Sequence, residues 1–391
     1  MKRIELLSPA GDLERLKITL LYGADAVYIG GYKYSLRANA TNFSKEEIKE
    51  ACDFAHKLGK RVHMTLNIVF HNSDLDGLEE YIDEVVECGI DAFIVSDPCI
   101  IHYIKSKYPK VEVHLSTQSS TTNYEAIKFY ESIGVDRVVL ARELSKEEIS
   151  EIINKSKCDI EVFIHGAMCT CYSGRCALSN YVTNRDANRG GCAQVCRFAF
   201  KTENDDFTLA LKDLNMSQYI KDLIDIGVTS LKVEGRMRSL YYLATVIGTY
   251  RMIIDDIYNS DYSNMDEYYK ILNRVANRET SVHYFNKDSD WTDQYYTGRQ
   301  EISNQDYLGQ VIEYKDNLIK FYERNYFEKG DTIEVFTPNH EKETFVVERL
   351  LDDDKNEIDV ARHPDNIYYV ELKSKIKIPE YSMLRIVKRN K

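Results

Sequence analysis

Cys169, Cys171, Cys176, Cys192 and Cys196 fall within 28 residues, inside the segment EVFIHGAMCTCYSGRCALSNYVTNRDANRGGCAQVCR. Thiolates this close, among glycines that let the backbone bend around a ligand, point to metal or iron-sulfur chemistry. Their spacing is C-x-C-x4-C-x15-C-x3-C, without the paired C-x2-C knuckles favoured by structural zinc. An iron-sulfur cluster tolerates irregular spacing because its ligands stand farther apart than those of one ion. Cluster ligation therefore accounts best for the pattern, zinc follows, and reduced structural thiols come third. Five thiols for four positions leave one over, and Cys171 fits least well because it sits so close to Cys169. Cys52, Cys88, Cys99 and Cys158 fall on or beside helical stretches and read as core residues.

A second set of polar residues recurs at the C-terminal ends of short apolar runs. Asn67, Asp97, Gln118, Arg142, His165 and Glu234 occupy such places, and Arg236 lies just behind. Each has a plain reading as the cap of a following helix, but convergence at one end of a sheet would make a polar pocket. His165 precedes Cys169 by four residues, where it could ligate, move a proton or pack. Glu161 and Phe163 alternate with it, so all three are expected on one strand face. His165, Glu161 and Glu234 are the acid-base candidates. Asn67, Asp97, Gln118, Arg142 and Arg236 are the substrate-binding candidates, the two arginines suiting a carboxylate or phosphate held bidentately. Arg175, Arg185, Arg189, Arg197 and Lys201 stand against one acid, Asp186, so the cysteine segment is a basic island. It reads either as ordinary surface charge or as an anion site.

These residues need a scaffold, and the chain supplies a repeating one. Apolar runs rich in β-branched residues occupy 4–7, 26–29, 62–69, 92–95, 111–115, 137–140, 160–164 and 230–233, and each of the first seven precedes a helical stretch. Ser44-Lys45-Glu46-Glu47 and Ser145-Lys146-Glu147-Glu148 open two of those helices as capping boxes. The expectation is a (β/α)8, TIM-like barrel over residues 1–260. An open doubly wound sheet is the runner-up, but no G-x-G-x-x-G follows the first run. About 65 residues separate the seventh run from the eighth, and the cysteine-rich insertion at 166–201 begins just beyond a strand's C-terminal end. Barrel chemistry is built on that face. Residues 261–305 read as an irregular, partly helical linker. Residues 306–391 alternate as GQVIEY, NLIKFYE, DTIEVF, TFVVER, EIDVA, YYVEL and MLRIVK, a small all-β, barrel-like domain.

Composition bounds the rest. With 43% hydrophobic and 29% charged residues among 391, the chain reads as a globular protein, and no run nears the ~18 apolar residues of a membrane span. MKRIELLSPAGDLERL lacks the core of a secretion signal, so a cytoplasmic protein with reduced thiols is expected. A net charge of −12 argues against polyanion binding over the whole surface. There is no H-E-x-x-H, G-x-S-x-G or P-loop, and no C-x3-C-x2-C of radical S-adenosylmethionine enzymes.

The stretch from Glu161 to Ser179, EVFIHGAMCTCYSGRCALS, resembles the signature of peptidase family U-32, the collagenase-like proteases. LLSPAGDLERLKITLLYGADAVYIGG, HLSTQSSTTN, NRGGCAQVCR, LALKDLNM and SLKVEGRMRS resemble that family in the same order, across most of residues 4–260 and more weakly beyond. The resemblance implies an iron-sulfur protein of a hydroxylation pathway, similar in layout to the tRNA uridine hydroxylases that make 5-hydroxyuridine at the wobble position with prephenate as hydroxyl source. Relatives act on ribosomal RNA or in ubiquinone synthesis. By motif position it implies a cluster, 4Fe-4S, on Cys169, Cys176, Cys192 and Cys196. It further implies prephenate met by Arg142 or Arg236, and tRNA phosphates met by Arg175, Arg185, Arg189 and Arg197. A peptidase, as the family name records, is the alternative, and a cluster scaffold acting with a paralogous subunit is the third reading. The terminal β domain would then dock RNA, form a homodimer or serve structure alone.

Overall fold

Eight parallel strands close into a ring in the computed structural model, which describes residues 3–35, 42–203, 206–275, 278–286, 289–295 and 306–389. Strands β1 (Glu5–Pro9), β2 (Ala26–Gly30), β3 (Arg61–Leu66), β4 (Ala92–Val95), β5 (Glu112–Leu115), β6 (Arg137–Val139) and β7 (Asp159–Gly166) pair in chain order. The long connection after β7 carries the short strands β8 (Phe200–Lys201), β9 (Asp206–Phe207), β10 (Ala210–Leu211) and β11 (Asp213–Asn215). Strand β12 (Ser230–Val233) closes the barrel by pairing with both β7 and β1.

Helices α1 (Leu13–Leu21), α2 (Lys45–Lys57), α3 (Leu78–Glu87), α4 (Pro98–Lys107), α5 (Tyr124–Ser132) and α6 (Lys146–Lys155) follow the first six strands. Ser44 with Glu47 and Ser145 with Glu148 form the two expected capping boxes, each satisfying orphan N–H groups at a helix start. A short helix α7 (Leu178–Thr183) lies in the insertion, α8 (Ile220–Asp225) precedes β12, and α9 (Leu240–Tyr258) follows it. Buried side chains such as Val27, Ile29, Val62, Phe93, Val113 and Leu231 pack with helix residues in one continuous core. The lower interior of the barrel is polar instead. Glu161, fully buried, accepts from Lys232 Nζ at 2.9 Å, Arg137 Nη1 at 3.1 Å and Ser230 Oγ at 3.1 Å, and Arg137 also pairs with Glu5.

The segment expected as a linker is more structured than its composition suggests. Helix α10 (Met265–Val275) packs on α9, β13 (Thr280–Ser281) extends the barrel sheet beside β11, and β14 (Gln294–Tyr295) pairs with β10. It thus folds back on the insertion; residues 296–305 lie outside the described residues. The terminal domain is an antiparallel half-barrel, an eight-stranded sheet with its own apolar core around Phe321, Phe327, Ile333 and Val370. It docks on the barrel through Tyr22, whose buried hydroxyl donates to the carbonyls of Phe336 and Tyr381 at 3.3 and 3.0 Å, and through Tyr241 stacked on Tyr307. No described helix is long and apolar enough to cross a membrane.

Candidate active site

The insertion after β7 folds over the C-terminal mouth of the barrel, and local hydrogen bonds fix its cysteines. Asn188 brackets the Cys176 backbone, accepting from its N–H at 3.0 Å and donating to its carbonyl at 2.9 Å. Ser173, in the left-handed region at φ 48°, is held by two bonds to Glu143 at 2.6 Å. Leu209 N–H donates to the Cys196 carbonyl at 3.0 Å, and Gln194 N–H approaches Cys192 Sγ at 3.4 Å. All five cysteines consequently line one cavity of about 950 Å³, between the insertion and the strand ends. Cys171 lies within hydrogen-bonding reach of both Cys169 and Cys176, and Cys196 faces Cys169 and Cys192. Cys171, the thiol that spacing singled out as spare, thus stands between two of the others.

This donor set fits an iron-sulfur group. Its five members are all soft sulfur donors lining one cavity, and among the described residues no group of three or more His, Cys, Asp or Glu is already arranged around a metal ion. The hydrogen bond with Cys169 raises the Cys171 pKa and burial raises that of Cys196, so taking them as thiolates would displace protons.

The cavity floor collects much of the polar set expected at the strand ends. Asn67, Gln118, Arg142, Glu234 and Arg236 all line it. Arg142 donates to the Ala167 carbonyl at 2.9 Å and lies over the Phe163 ring, 5.5 Å from its centroid. Arg236 donates to Ser35 Oγ at 2.7 Å and Asn42 Oδ1 at 3.1 Å. It can lie across β2 because Gly30 has no side chain: a Cβ there would stand 2.3 Å from Arg236 Nη2. Glu234 accepts from the Tyr28 hydroxyl at 3.1 Å. Asn67 Oδ1 and Gln118 Oε1 are buried and accept no hydrogen bond within the described structure, so two acceptors stand on the wall of the cavity.

Other candidates lie elsewhere. His165 and Glu161 do not share a face, contrary to simple alternation. Lys232 pairs with Phe163 but Val233 pairs with His165, a β-bulge that adds a residue to β7 and turns His165 outward. There His165 Nδ1 meets the Tyr250 hydroxyl of α9 at 3.1 Å, and burial pushes its pKa down to about 4, leaving it neutral. Glu161 points inward but below the cavity, in the Lys232–Arg137–Ser230 network. Asp97 caps α4 through Cys99 N–H at 2.8 Å and does not line the cavity. Of the four arginines of the basic island, Arg175 and Arg197 line the cavity, whereas Arg185 is exposed outside it. Arg189 is committed to Asp74, whose pKa its guanidinium holds at about 2. Cys52 and Cys88 are buried and Cys158 half-buried as expected of core thiols, but Cys99 is exposed in the first turn of α4, just after Pro98.

The cavity also holds residues that sequence reading passed over. Lys232 sits on its floor, its Nζ 4.5 Å from the Tyr28 ring centroid. It precedes Glu234 by two, so strand alternation alone could have placed it inward. Arg238 and Arg278 reach the wall together, both bonded to Asp213, at 2.8 and 2.9 Å. Nothing in the sequence joins these three, because they come from the loop after β12, the segment after α10, and β11.

Known proteins share this layout. Residues 11–294 match the model of peptidase family U32, and residues 303–385 match that of the U32 C-terminal domain. A Bacillus subtilis relative named tRNA hydroxylation protein P1 is 43% identical over 96% of this chain and 93% of its own length. The Escherichia coli tRNA hydroxylation protein P is 33% identical over 86% of this chain and 87% of its own. The E. coli 23S rRNA 5-hydroxycytidine C2501 synthase is 39% identical over 65% of this chain but 40% of its own length. Matched along both its barrel and its terminal half-barrel, the chain belongs to peptidase family U32 and carries that family's C-terminal domain.

Proposed function

We propose that this protein is an RNA-modifying enzyme that hydroxylates a tRNA uridine to 5-hydroxyuridine, with an iron-sulfur cluster, 4Fe-4S, on Cys169, Cys176, Cys192 and Cys196 and prephenate as hydroxyl donor. The observation that carries the reading is the convergence of every insertion cysteine on the same cavity as Asn67, Gln118, Arg142, Glu234 and Arg236. Its volume, about 950 Å³, admits a nucleotide together with a small acid. The names of the relatives supply the substrate class.

Each residue has work that its geometry supports. Asn67 Oδ1 and Gln118 Oε1 offer acceptors to a base's ring N–H once it leaves its neighbours, which a single-stranded anticodon loop makes cheap. Arg142 and Arg236 meet carboxylates, and Glu234, polarised by Tyr28, exchanges a proton at the base. When bound, the cluster would supply electron transfer or a Lewis-acid iron. Arg175 and the exposed Tyr172, Tyr181 and Phe198 of the insertion suit the backbone and bases of a loop. A peptidase reading finds less support, since His165 is turned away from the cavity and, among the described residues, no histidine lines it beside a serine.

The test is anaerobic purification with iron and sulfide analysis and absorbance near 400 nm, on the wild type, Cys176→Ala and Cys171→Ala. Iron and sulfide present in the wild type and lost with Cys176 are expected; retention in Cys171→Ala would leave the four motif cysteines as ligands. Nucleoside analysis of tRNA from a deletion strain should then show 5-hydroxyuridine replaced by uridine. Stoichiometric zinc or no metal, with nucleosides unchanged, would sink the proposal.

A further inference from the structure

Strand β12 runs into a tight turn at the cavity mouth, and one apolar side chain stands at its tip. Arg238 N–H donates to the Gly235 carbonyl at 2.9 Å, which makes Arg236 and Met237 the two central residues of a β-turn. Arg236 turns inward, 4% exposed, and is held by Ser35 and Asn42, whereas Met237 turns outward and is 61% exposed. Among the described residues Met237 is the only large apolar side chain that lines the cavity and is also exposed, so it marks the mouth rather than the wall.

The backbone around that tip is fixed on every side. Before the turn, Glu234 N–H donates to the His165 carbonyl at 2.8 Å. Behind it, Gly11 lies against the Arg236 carbonyl oxygen, where a Cβ would stand 2.3 Å away. After it, the Arg238 carbonyl accepts from Arg15 Nε at 2.8 Å, and the Arg238 guanidinium bonds Asp213 at 2.8 Å and stacks 4.8 Å from the Tyr242 ring centroid. Ser239 then caps α9 by accepting from Tyr242 N–H at 3.2 Å. A rigid turn thus presents a flexible, polarisable thioether, a side chain that adapts its shape to the face of a ring.

A single exposed apolar side chain is common on protein surfaces, and its surroundings decide what meets it. The exposed Arg175 lines the same cavity, and among the described residues its guanidinium bonds the Gln118 carbonyl and no carboxylate. A cation and an apolar tip at one mouth suit a ligand that is anionic along its backbone and apolar on its planar faces, which describes a nucleic acid strand. The cavity of about 950 Å³ behind them has room for one nucleotide drawn out of its stack. Drawing it out opens a gap between its neighbours, and apolar side chains, methionine among them, occupy such gaps.

We propose that Met237 is a wedge that enters the RNA strand beside the nucleotide held in the cavity, its thioether taking the stacking place that the extruded base leaves. This rests on the RNA-modifying reading and adds to it the residue that keeps the target nucleotide out of its stack. The rigid turn matters because a wedge on a mobile loop would retreat rather than hold the gap open.

The test is binding of the anaerobically purified full-length protein to a uridine-containing anticodon stem-loop RNA, with 2-aminopurine placed at each other loop position in turn. Anisotropy reads affinity, and 2-aminopurine fluorescence reads local unstacking. The wild type is expected to brighten the probe when it lies next to the target uridine. Met237→Ala should weaken binding roughly tenfold, the loss of a covered apolar side chain, and should lose most of that brightening at saturation. Met237→Leu, apolar and of similar volume, should retain both. Because Met237 is exposed, circular dichroism melting should show the same midpoint for all three proteins, which keeps a folding defect from passing as lost binding. The proposal is overturned if Met237→Ala keeps the affinity and the brightening, or if its effect is spread evenly over the loop, as for an ordinary surface contact. It is equally overturned if the wild type binds RNA without brightening any position. Unchanged RNA binding with an altered oligomeric state of Met237→Ala by sedimentation would overturn it too, and would assign the tip to a second copy of the chain. A wild type that binds no RNA at all would instead remove the functional reading beneath it.

Discussion

Replacing Glu161 with glutamine should destabilise the barrel strongly at neutral pH and much less in acid. Its carboxylate is fully buried and holds Lys232, Arg137 and Ser230 at 2.9, 3.1 and 3.1 Å. Burial works against its charge, but Lys232 and then Arg137 outweigh it and bring its pKa from 4.5 to about 2. At ~1.4 kcal/mol per tenfold change, that shift stabilises the fold by about 3 kcal/mol at pH 7. Deleting one member of a buried ionic network independently gives roughly 3–5 kcal/mol, because Lys232 would lose its partner. The two figures agree, and for a domain this size they mean a fall of roughly 6–12 °C in Tm. A depressed carboxylate stabilises fully above its unfolded pKa and loses that contribution as pH falls from 4.5 toward 2. The gap between wild type and Glu161→Gln should therefore be widest at pH 7 and have shrunk by more than half at pH 3. Urea denaturation of both proteins at the two pH values measures it. A gap below about 1 kcal/mol at pH 7, or one that does not shrink in acid, would refute the network as the stabilising agent.

Gly30→Ala should displace Arg236 from the mouth, since the new Cβ would lie 2.3 Å from Nη2 and 2.5 Å from Ser35 Oγ. Both contacts are side-chain ends, so dicarboxylate binding by calorimetry should weaken while the urea midpoint stays near wild type; unchanged binding would contradict the assignment. His165, neutral with its pKa near 4, should show no imidazole titration by NMR between pH 8 and 5.5. Because its folded pKa lies below the ordinary 6.5, this residue removes stability as pH falls through 6.5 toward 4, and a resonance moving near pH 6.5 would contradict its burial. Tyr22→Phe removes the one buried hydroxyl that the Phe336 and Tyr381 carbonyls share and should cost about 1 kcal/mol of domain docking, seen as faster proteolytic separation of the domains; an unchanged digestion pattern would count against that contact.

The barrel was legible because its evidence is local. Each strand is a short apolar run, helices α1, α2, α4, α5, α6 and α9 each start on a side-chain cap within a few residues, and Ser44-Glu47 and Ser145-Glu148 perform the bonds their spacing foretells. The gathering of five thiols was legible for the same reason, since one insertion carries Cys169, Cys171, Cys176, Cys192 and Cys196. His165 was misplaced by a single residue: alternation assigns faces only while the register runs evenly, and the bulge opposite Lys232 and Val233 breaks it just before the strand end. Asp97 shows the converse, a strand-end carboxylate whose chemistry is spent on the helix it caps. Arg278 marks the deeper limit. It reaches the cavity because the segment expected to be a linker returns to pair with β11 through β13 and with β10 through β14. A two-residue pairing leaves almost no pattern in composition, yet it sets a guanidinium 2.9 Å from Asp213. The scaffold was therefore written in periodicity. The charge that surrounds the cavity depends on long-range contacts between segments whose sequences carry no mutual signal, and those contacts decide which of many arginines reach the cavity.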